Sequence, residues 1–101
     1  MNAFNILIQN AHGLNSTARW DVVRDVVDSC RPDIICLQDT KLAYISTYDI
    51  LSILGPNFDK FVFLPEEGTR GGILTAWKGY KFEGVAWRVN RHSVLVQFKP
   101  H

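Results

Sequence analysis

The chain of 101 residues contains little cysteine, no excess of charge of one sign and no long hydrophobic run. Its cysteines, Cys30 and Cys36, both lie in apolar patterns, which is typical of reduced, buried thiols and not of a disulfide framework. A zinc site that joins them to His12 and His92 is disfavoured, because the separations match no usual ligand spacing. Eleven basic and ten acidic side chains leave a net charge of +1, so nucleic-acid binding would require a local patch.

The apolar runs are much shorter than the roughly 20 residues that cross a bilayer. Residues 1–9 have neither the basic cluster nor the apolar stretch of a secretory signal, so we expect an intracellular protein. A hydrophobic fraction of 47% and a charged fraction of 21% are ordinary for a folded globular protein. The length allows one domain.

The first part of the chain alternates strand and helix patterns. Residues 4–9 are rich in large apolar side chains and predict a buried strand. An amphipathic helix capped by Asn15 or Ser16 is predicted next, with an apolar stripe made of Trp20, Val23, Val27 and Cys30. This helix ends before Pro32, and the apolar run 34–37 then indicates a strand covered on both faces. Such a βαβ unit implies two parallel strands and a right-handed crossover.

The second part of the chain has one short helix pattern followed by several short strand patterns. A short helix is predicted over residues 45–54, and Gly55 and Pro56 end it. Short apolar runs separated by turn formers then predict antiparallel strands at residues 61–64, 73–77, 81–89 and 93–98. Core packing is predicted for all three tryptophans, Trp20, Trp77 and Trp87. The predicted fold class is therefore α/β.

A polar residue directly follows each of the two predicted parallel strands. Asn10 follows the first strand and Asp39 follows the second. The carboxyl ends of adjacent parallel strands meet at one edge of a sheet, so we expect the amide and the carboxylate side by side. Both offer hard oxygen donors suited to Mg²⁺, and an amide NH₂ can also hold a phosphate oxygen. A structural alternative stays open, in which Asn10 forms a turn and Asp39 caps a helix.

Three motifs occur in order along the chain. Residues 10–15 are NAHGLN, residues 31–41 are RPDIICLQDTK, and residues 68–73 are GTRGGI. Together they resemble the endonuclease/exonuclease/phosphatase superfamily, and most closely the endonuclease at the front of plant LINE-type retrotransposon polyproteins. The likeness extends over nearly the whole chain. It implies the first half of a two-sheet α/β sandwich with helices on the outer faces, so that residues 1–101 are a partial domain whose C-terminal half is absent.

The resemblance also implies site residues and a metal. Asn10 would position the scissile phosphate, and Asp39 would bind the catalytic Mg²⁺, with Mn²⁺ as a possible substitute. The family usually has Glu at the second position, and the shorter side chain of Asp39 retracts the carboxylate by about 1.5 Å. Direct ligation then requires backbone movement or a bridging water. Lys41, Arg70 and His12 are candidate contacts to the DNA backbone, and the alternative for each is an ordinary solvated side chain.

The Gly71-Gly72 pair lacks the Lys-Ser/Thr of a phosphate-binding loop, so we predict that it lets a strand enter without steric conflict. The resemblance implies two further catalytic motifs, Asp-x-Asn and a late Ser-Asp-His, and this sequence contains neither. The isolated chain is therefore expected to have no nuclease activity, because the groups of an in-line phosphoryl displacement must act together.

Three functions are compatible with these observations. The first is a Mg²⁺-dependent phosphodiesterase domain that nicks DNA to prime reverse transcription, for which the family implies a nuclear location. The second is a decayed retrotransposon remnant without a catalytic role. The third is another branch of the superfamily, such as a small-substrate phosphatase. If the second half is absent, residues 58–98 should expose apolar surface, and self-association is expected.

Overall fold

The structure is a computed structural model that describes residues 3–68 and 70–101, apart from the side chains of residues 88 and 89. Its elements are, in chain order, β1 (Ile6–Asn10), α1 (Thr17–Cys30), β2 (Ile34–Gln38), α2 (Thr47–Leu54), β3 (Lys60–Leu64), β4 (Ile73–Trp77), β5 (Phe82–Asn90) and β6 (Ser93–Pro100). Every predicted helix and strand is confirmed, and the boundaries differ from the predicted ones by at most about two residues.

The strands form two sheets. A four-stranded sheet has the order β1-β2-β4-β3, in which β1 and β2 are parallel and the other neighbours are antiparallel. The hairpin of β5 and β6 forms a separate two-stranded sheet. The parallel pair confirms the βαβ unit, and the two sheets with two helices confirm an α/β fold.

The four-stranded sheet has an apolar cluster on each face. On one face, Ile35 and Leu37 of β2 pack with the two helices, whose buried core residues are Val23, Val27, Ile50, Ile53 and Leu54. On the other face, Ile34 and Trp77 pack against the β5–β6 hairpin through Phe82, Val96 and Phe98. β2 is therefore covered on both faces, as its unbroken apolar run predicts.

Three predictions of burial are wrong. β1 is an edge strand and not a buried one, and its Ile6 and Ile8 are 54% and 65% exposed. Cys30 is exposed at the end of α1, and Trp87 is 49% exposed. The reason is the same in each case, because an apolar pattern identifies one face of an element but not whether another element covers it. Trp20 and Trp77 do pack against the two clusters, as predicted.

Apolar side chains are exposed on the outer face of the β5–β6 hairpin. Trp87 lies opposite Leu95 in the strand pairing, Val85 is on the same face, and these three residues are 45–54% exposed. The predicted exposure of apolar surface in the second part of the chain is thereby confirmed. Self-association through that surface stays a prediction.

Two short helices account for all the helical structure among the described residues. α1 begins at the cap Ser16, whose hydroxyl accepts a hydrogen bond from the Arg19 amide, and it has 14 residues. α2 begins at Ser46, which forms a capping box with Asp49, and it has eight residues. Neither described helix has the length and apolarity needed to span a membrane.

A buried carboxylate connects the amino-terminal end of β2 to both sheets. Asp33 accepts hydrogen bonds from the Asn5 amide at 3.0 Å and from Lys81 Nζ at 2.8 Å, and Lys78 Nζ lies 3.5 Å away. Burial alone would raise the pKa of this carboxyl. The Lys81 hydrogen bond, the Asn5 amide and the two lysine charges outweigh burial and hold the pKa of Asp33 below its ordinary value.

Asp33→Asn should lower the free energy of unfolding by about 1 to 3 kcal/mol near neutral pH, since a buried acceptor loses its charge while its cationic partners remain. A lowered folded-state pKa stabilises the protein above the unfolded-state value of about 3.9, and this contribution disappears as the pH falls through the folded-state pKa. The wild type should therefore lose more stability than Asp33→Asn between about pH 5 and about pH 2. Urea denaturation across that range measures the difference.

The matched control for this experiment is Asp21→Asn, which changes an exposed acid on α1. It should keep the stability and the acid sensitivity of the wild type. If Asp33→Asn and the wild type have the same pH dependence, Asp33 does not contribute through its charge.

Candidate functional site

The carboxyl ends of β1 and β2 lie side by side. The two strands pair in a register that places Asn10 opposite Gln38, and Asp39 is the next residue of the chain. Beyond the strands, the amides of Ala11, Gly13 and Leu14 donate to the carbonyls of Gln38, Asp39 and Thr40 at 2.7–2.8 Å. The fold therefore brings Asn10 and Asp39 to one edge of the sheet. We call this edge, made of residues 10–13, 38–41 and 70–72, the rim.

The Asp39 carboxylate lies directly against Gly71. A Cβ added at Gly71 would stand 2.1 Å from Asp39 Oδ1, so the carboxylate occupies the space of a side chain there. The backbone segments that contain these two residues are also close to each other, since the Lys41 amide donates to the Gly71 carbonyl at 2.5 Å. Asp39 is half-buried, and its carboxylate has neither a hydrogen bond nor an ion pair with any other described residue. That carboxylate is available to a cation from outside.

The structural alternatives for Asn10 and Asp39 have different outcomes. Asn10 Oδ1 accepts the His12 amide at 2.8 Å, which is the turn-forming role left open by the sequence. Asn10 is also exposed, so its NH₂ group can still reach a phosphate oxygen. The helix-capping role of Asp39 is wrong, because the next helix is capped by Ser46, seven positions further along the chain.

His12 and Lys41 lie on the exposed side of the rim. The alkyl chain of Lys41 covers Gly13, where an added Cβ would be 3.5 Å from Lys41 Cδ. The φ angles of His12, Asp39 and Lys41 are 51°, 55° and 57°, in the left-handed region. Such angles cost non-glycine residues on the order of 1 to 3 kcal/mol each, so the backbone hydrogen bonds of the rim must impose them.

Arg70 is buried, at 6% exposure, so the alternative of an ordinary solvated side chain is wrong. Its Nε donates to the Pro65 carbonyl at 2.9 Å, and its Nη2 pairs with Glu67 Oε2 at 2.8 Å. Its Nη1 donates to the Arg91 carbonyl in the turn between β5 and β6. A contact of Arg70 with DNA stays a prediction, and it would require the guanidinium to leave these partners.

The glycine pair has the role that the sequence predicts. Gly71 makes room for Asp39, and a Cβ added at Gly72 would be 2.5 Å from Thr40 Oγ1. Gly72 also has a φ of 91°, which L side chains rarely adopt. Both glycines therefore let β4 begin against the end of β2 without steric conflict.

Three residues near the site are not predicted from the sequence: Thr40, Glu67 and Arg91. Thr40 is fully buried, and its hydroxyl accepts the Leu42 amide at 3.4 Å. The Arg91 side chain is 70% exposed and has Nη2 3.4 Å from Glu67 Oε1. The sequence offers one signal for Arg91, its place in a turn between two strand patterns, but nothing that puts this turn beside the rim.

The donor set at the rim matches Mg²⁺ in chemical kind but supplies few ligands. Asp39 offers a carboxylate and Asn10 an amide oxygen, while the described residues contain no group of three or more His, Cys, Asp or Glu that could hold a metal ion. A Mg²⁺ ion held here would keep most of its ligands from water or a bound phosphate. Comparison of the chain with models of known protein families found no match, and comparison with curated proteins found none.

Gly71→Ala should displace the Asp39 carboxylate. The φ of Gly71 is not in the left-handed region, so alanine is conformationally allowed and the effect is steric. We expect a loss of about 1 to 3 kcal/mol in the free energy of unfolding, as for other insertions into packed positions. Urea denaturation of the wild type, Gly71→Ala, Asp39→Ala and the double variant measures the coupling.

The double variant is the control for this prediction. Removing the carboxylate should relieve most of the cost of Gly71→Ala, and a smaller cost should remain because Asp39 Cα would be 3.2 Å from the new Cβ. A coupling energy near zero would show that the carboxylate does not lie against Gly71 in solution.

Proposed function

We propose that this chain forms the metal- and phosphate-binding edge of a Mg²⁺-dependent phosphodiesterase that nicks DNA. One observation carries the proposal: the Asp39 carboxylate, directly after β2, lies at the same sheet edge as the exposed Asn10 and has no hydrogen bond or ion pair with another described residue. Carboxylate oxygens are ligands that Mg²⁺ prefers in proteins. A carboxylate that no donor of the protein occupies is open to a cation from solution.

Each rim residue has a definite part in this proposal. Asp39 would hold Mg²⁺ or Mn²⁺, and the Asn10 NH₂ would hold an oxygen of the phosphate. Lys41 and protonated His12, both exposed, would contact neighbouring phosphates of the DNA backbone without reading its sequence. When bound, the metal ion would supply charge neutralisation at the reacting phosphate.

The short side chain of Asp39 determines how the metal would be held. Its carboxylate is drawn back against Gly71, with Oδ1 at 2.1 Å from the Cβ position there. A water between the carboxylate and the metal is the easiest arrangement, because Mg²⁺ tolerates little distortion of its octahedron. Weak metal binding follows, and the isolated chain is expected to bind metal and DNA without cutting.

A decayed remnant of the same kind of domain is the second candidate. The observation that favours it is the aspartate at position 39, one methylene shorter than the glutamate usual in the family that the motifs resemble. A small-substrate phosphatase would use the same rim, and binding of a short DNA duplex to the rim would separate the first candidate from it. The remnant and the nicking domain differ in metal binding.

Mn²⁺ titration of the ¹⁵N-labelled chain tests the proposal, since this paramagnetic ion broadens the NMR signals of nearby nuclei. The amide signals of Asp39, Gly71 and Asn10 should broaden before those of the rest of the chain. Asp39→Asn should abolish this selective broadening. Asp39→Glu should tighten Mn²⁺ binding by about tenfold, or about 1.4 kcal/mol, because the longer side chain reaches the metal directly.

Asp59→Asn is the matched control, because Asp59 is an exposed aspartate at the opposite end of the sheet, where its Oδ1 accepts the Gly79 amide at 2.9 Å. It should leave the broadening at the rim unchanged. Broadening that is equal in the wild type and Asp39→Asn, or that avoids the rim, would reject the metal site and favour the remnant.

A further inference from the structure

Arg70 joins two separate parts of the backbone. Its guanidinium bonds the carbonyl of Pro65, in the connection between β3 and β4, and the carbonyl of Arg91, in the turn between β5 and β6. These acceptors are 26 positions apart in the sequence, and the segments that hold them connect strands of different sheets. Arg70 therefore connects the four-stranded sheet to the hairpin at the same end as the rim.

The two hydrogen bonds to carbonyls contribute more to holding the Arg70 side chain in place than the ion pair with Glu67 does. The Glu67 side chain is 57% exposed, and ion pairs with so exposed a partner contribute little to stability. A buried guanidinium, in contrast, must have its N–H groups satisfied, and its planar fork can donate in several directions at once. Lysine at this position would retain the charge but not the fork.

The residue after Arg70 in the chain, Gly71, lies against the Asp39 carboxylate. Glu67 and Arg70 exchange two backbone hydrogen bonds, at 2.9 Å and 3.1 Å, which close the loop before β4. The next residue is Gly71, whose carbonyl accepts the Lys41 amide and whose lack of a side chain leaves the space that the Asp39 carboxylate occupies. Any movement of Arg70 would therefore move the surface on which the carboxylate lies.

Arg91 carries a second exposed cation near the rim, besides that of Lys41. Its side chain is 70% exposed, and its contact with Glu67 is long, at 3.4 Å between Nη2 and Oε1. Such a solvated pair exchanges easily for a phosphate. Arg70, which belongs to the rim, bonds the Arg91 carbonyl and so holds the backbone from which the exposed Arg91 side chain extends.

We propose that Arg70 is a positioning residue, which fixes Gly71 under the Asp39 carboxylate and holds the β5–β6 turn so that Arg91 contacts the DNA backbone. The assignment of metal and DNA to this rim rests on the proposed function. The positioning of Asp39 by Arg70 can be measured without either ligand, so the two ideas can fail separately.

The first experiment compares the NMR signals of the full chain and Arg70→Lys without metal. The Gly71 amide, the Asp39 carboxylate carbon and the amides of residues 91–92 should all shift, while the signals of α1 should not. Arg24→Lys is the matched control, because Arg24 also bonds a carbonyl, that of Ser52, but joins α1 to α2 away from the rim. It should leave the rim signals unchanged. Unchanged rim signals in Arg70→Lys would overturn the proposal, since charge alone would then suffice.

A measurement on the wild type keeps the test decisive if Arg70→Lys does not fold. The Nε–H of Arg70 should be protected from exchange with water by its bond to Pro65, whereas the Nε–H of the exposed Arg91 should exchange fast. Equal exchange at the two arginines would show that Arg70 is not held, and the proposal would be wrong.

Ligand binding separates the two roles. Arg70→Lys should weaken Mn²⁺ binding at Asp39 severalfold, whereas Arg91→Ala should leave it unchanged. Arg91→Ala should instead weaken binding of a short DNA duplex and lower the slope of log affinity against log salt by about one. Undiminished DNA binding by Arg91→Ala would overturn its assigned role.

The combined outcomes distinguish the inference from the function on which it rests. Rim shifts in Arg70→Lys, with no Mn²⁺ broadening in the wild type, would support positioning by Arg70 and reject the metal site. Intact Mn²⁺ broadening at Asp39, with no rim shifts in Arg70→Lys, would support the metal site and reject positioning by Arg70.

Discussion

The backbone pairing of β2 with its two neighbours continues beyond the last residue of the strand, and the candidate site depends on this continuation. On one side, residues 39 and 40 accept the amides of Gly13 and Leu14. On the other side, the amides of Thr40 and Lys41 donate to the carbonyls of Gly72 and Gly71. A segment held from both sides has little freedom, so Asp39 and Lys41 adopt left-handed φ angles. The Asp39 carboxylate is consequently placed by the backbone and not by side-chain partners.

The two ends of β2 each have an aspartate, and the two carboxylates differ in whether the protein provides them with hydrogen-bond and ionic partners. Asp33, at the amino-terminal end, is bonded by Lys81 and the Asn5 amide, so its charge contributes to the connection between the sheets. Asp39, at the carboxyl-terminal end, is half-buried without such partners among the described residues. A fold that compensates one carboxylate and leaves the other open has a structural acid at one end and a candidate ligand for a cation at the other.

The sequence predicts the elements, the parallel pair and the placement of Asn10 and Asp39 at one edge of the sheet, because these depend on local apolar periods and on the geometry of a βαβ unit. It does not predict the burial of Arg70, whose carbonyl partner at Arg91 is 21 positions away and comes close only through the packing of two sheets. The exposure of Ile8 and Trp87 is missed for a related reason, since the pattern of a strand does not specify what covers it.

X-ray crystallography of the protein with Mn²⁺, using anomalous scattering to locate the metal, tests most directly whether the Asp39 carboxylate binds a metal ion. We expect a Mn²⁺ peak at the rim, on the Asp39 carboxylate or one water away from it, and no such peak in crystals of Asp39→Asn. A rim without Mn²⁺ at saturating metal, with the Asp39 carboxylate hydrogen-bonded to a donor of the protein itself, would contradict this expectation.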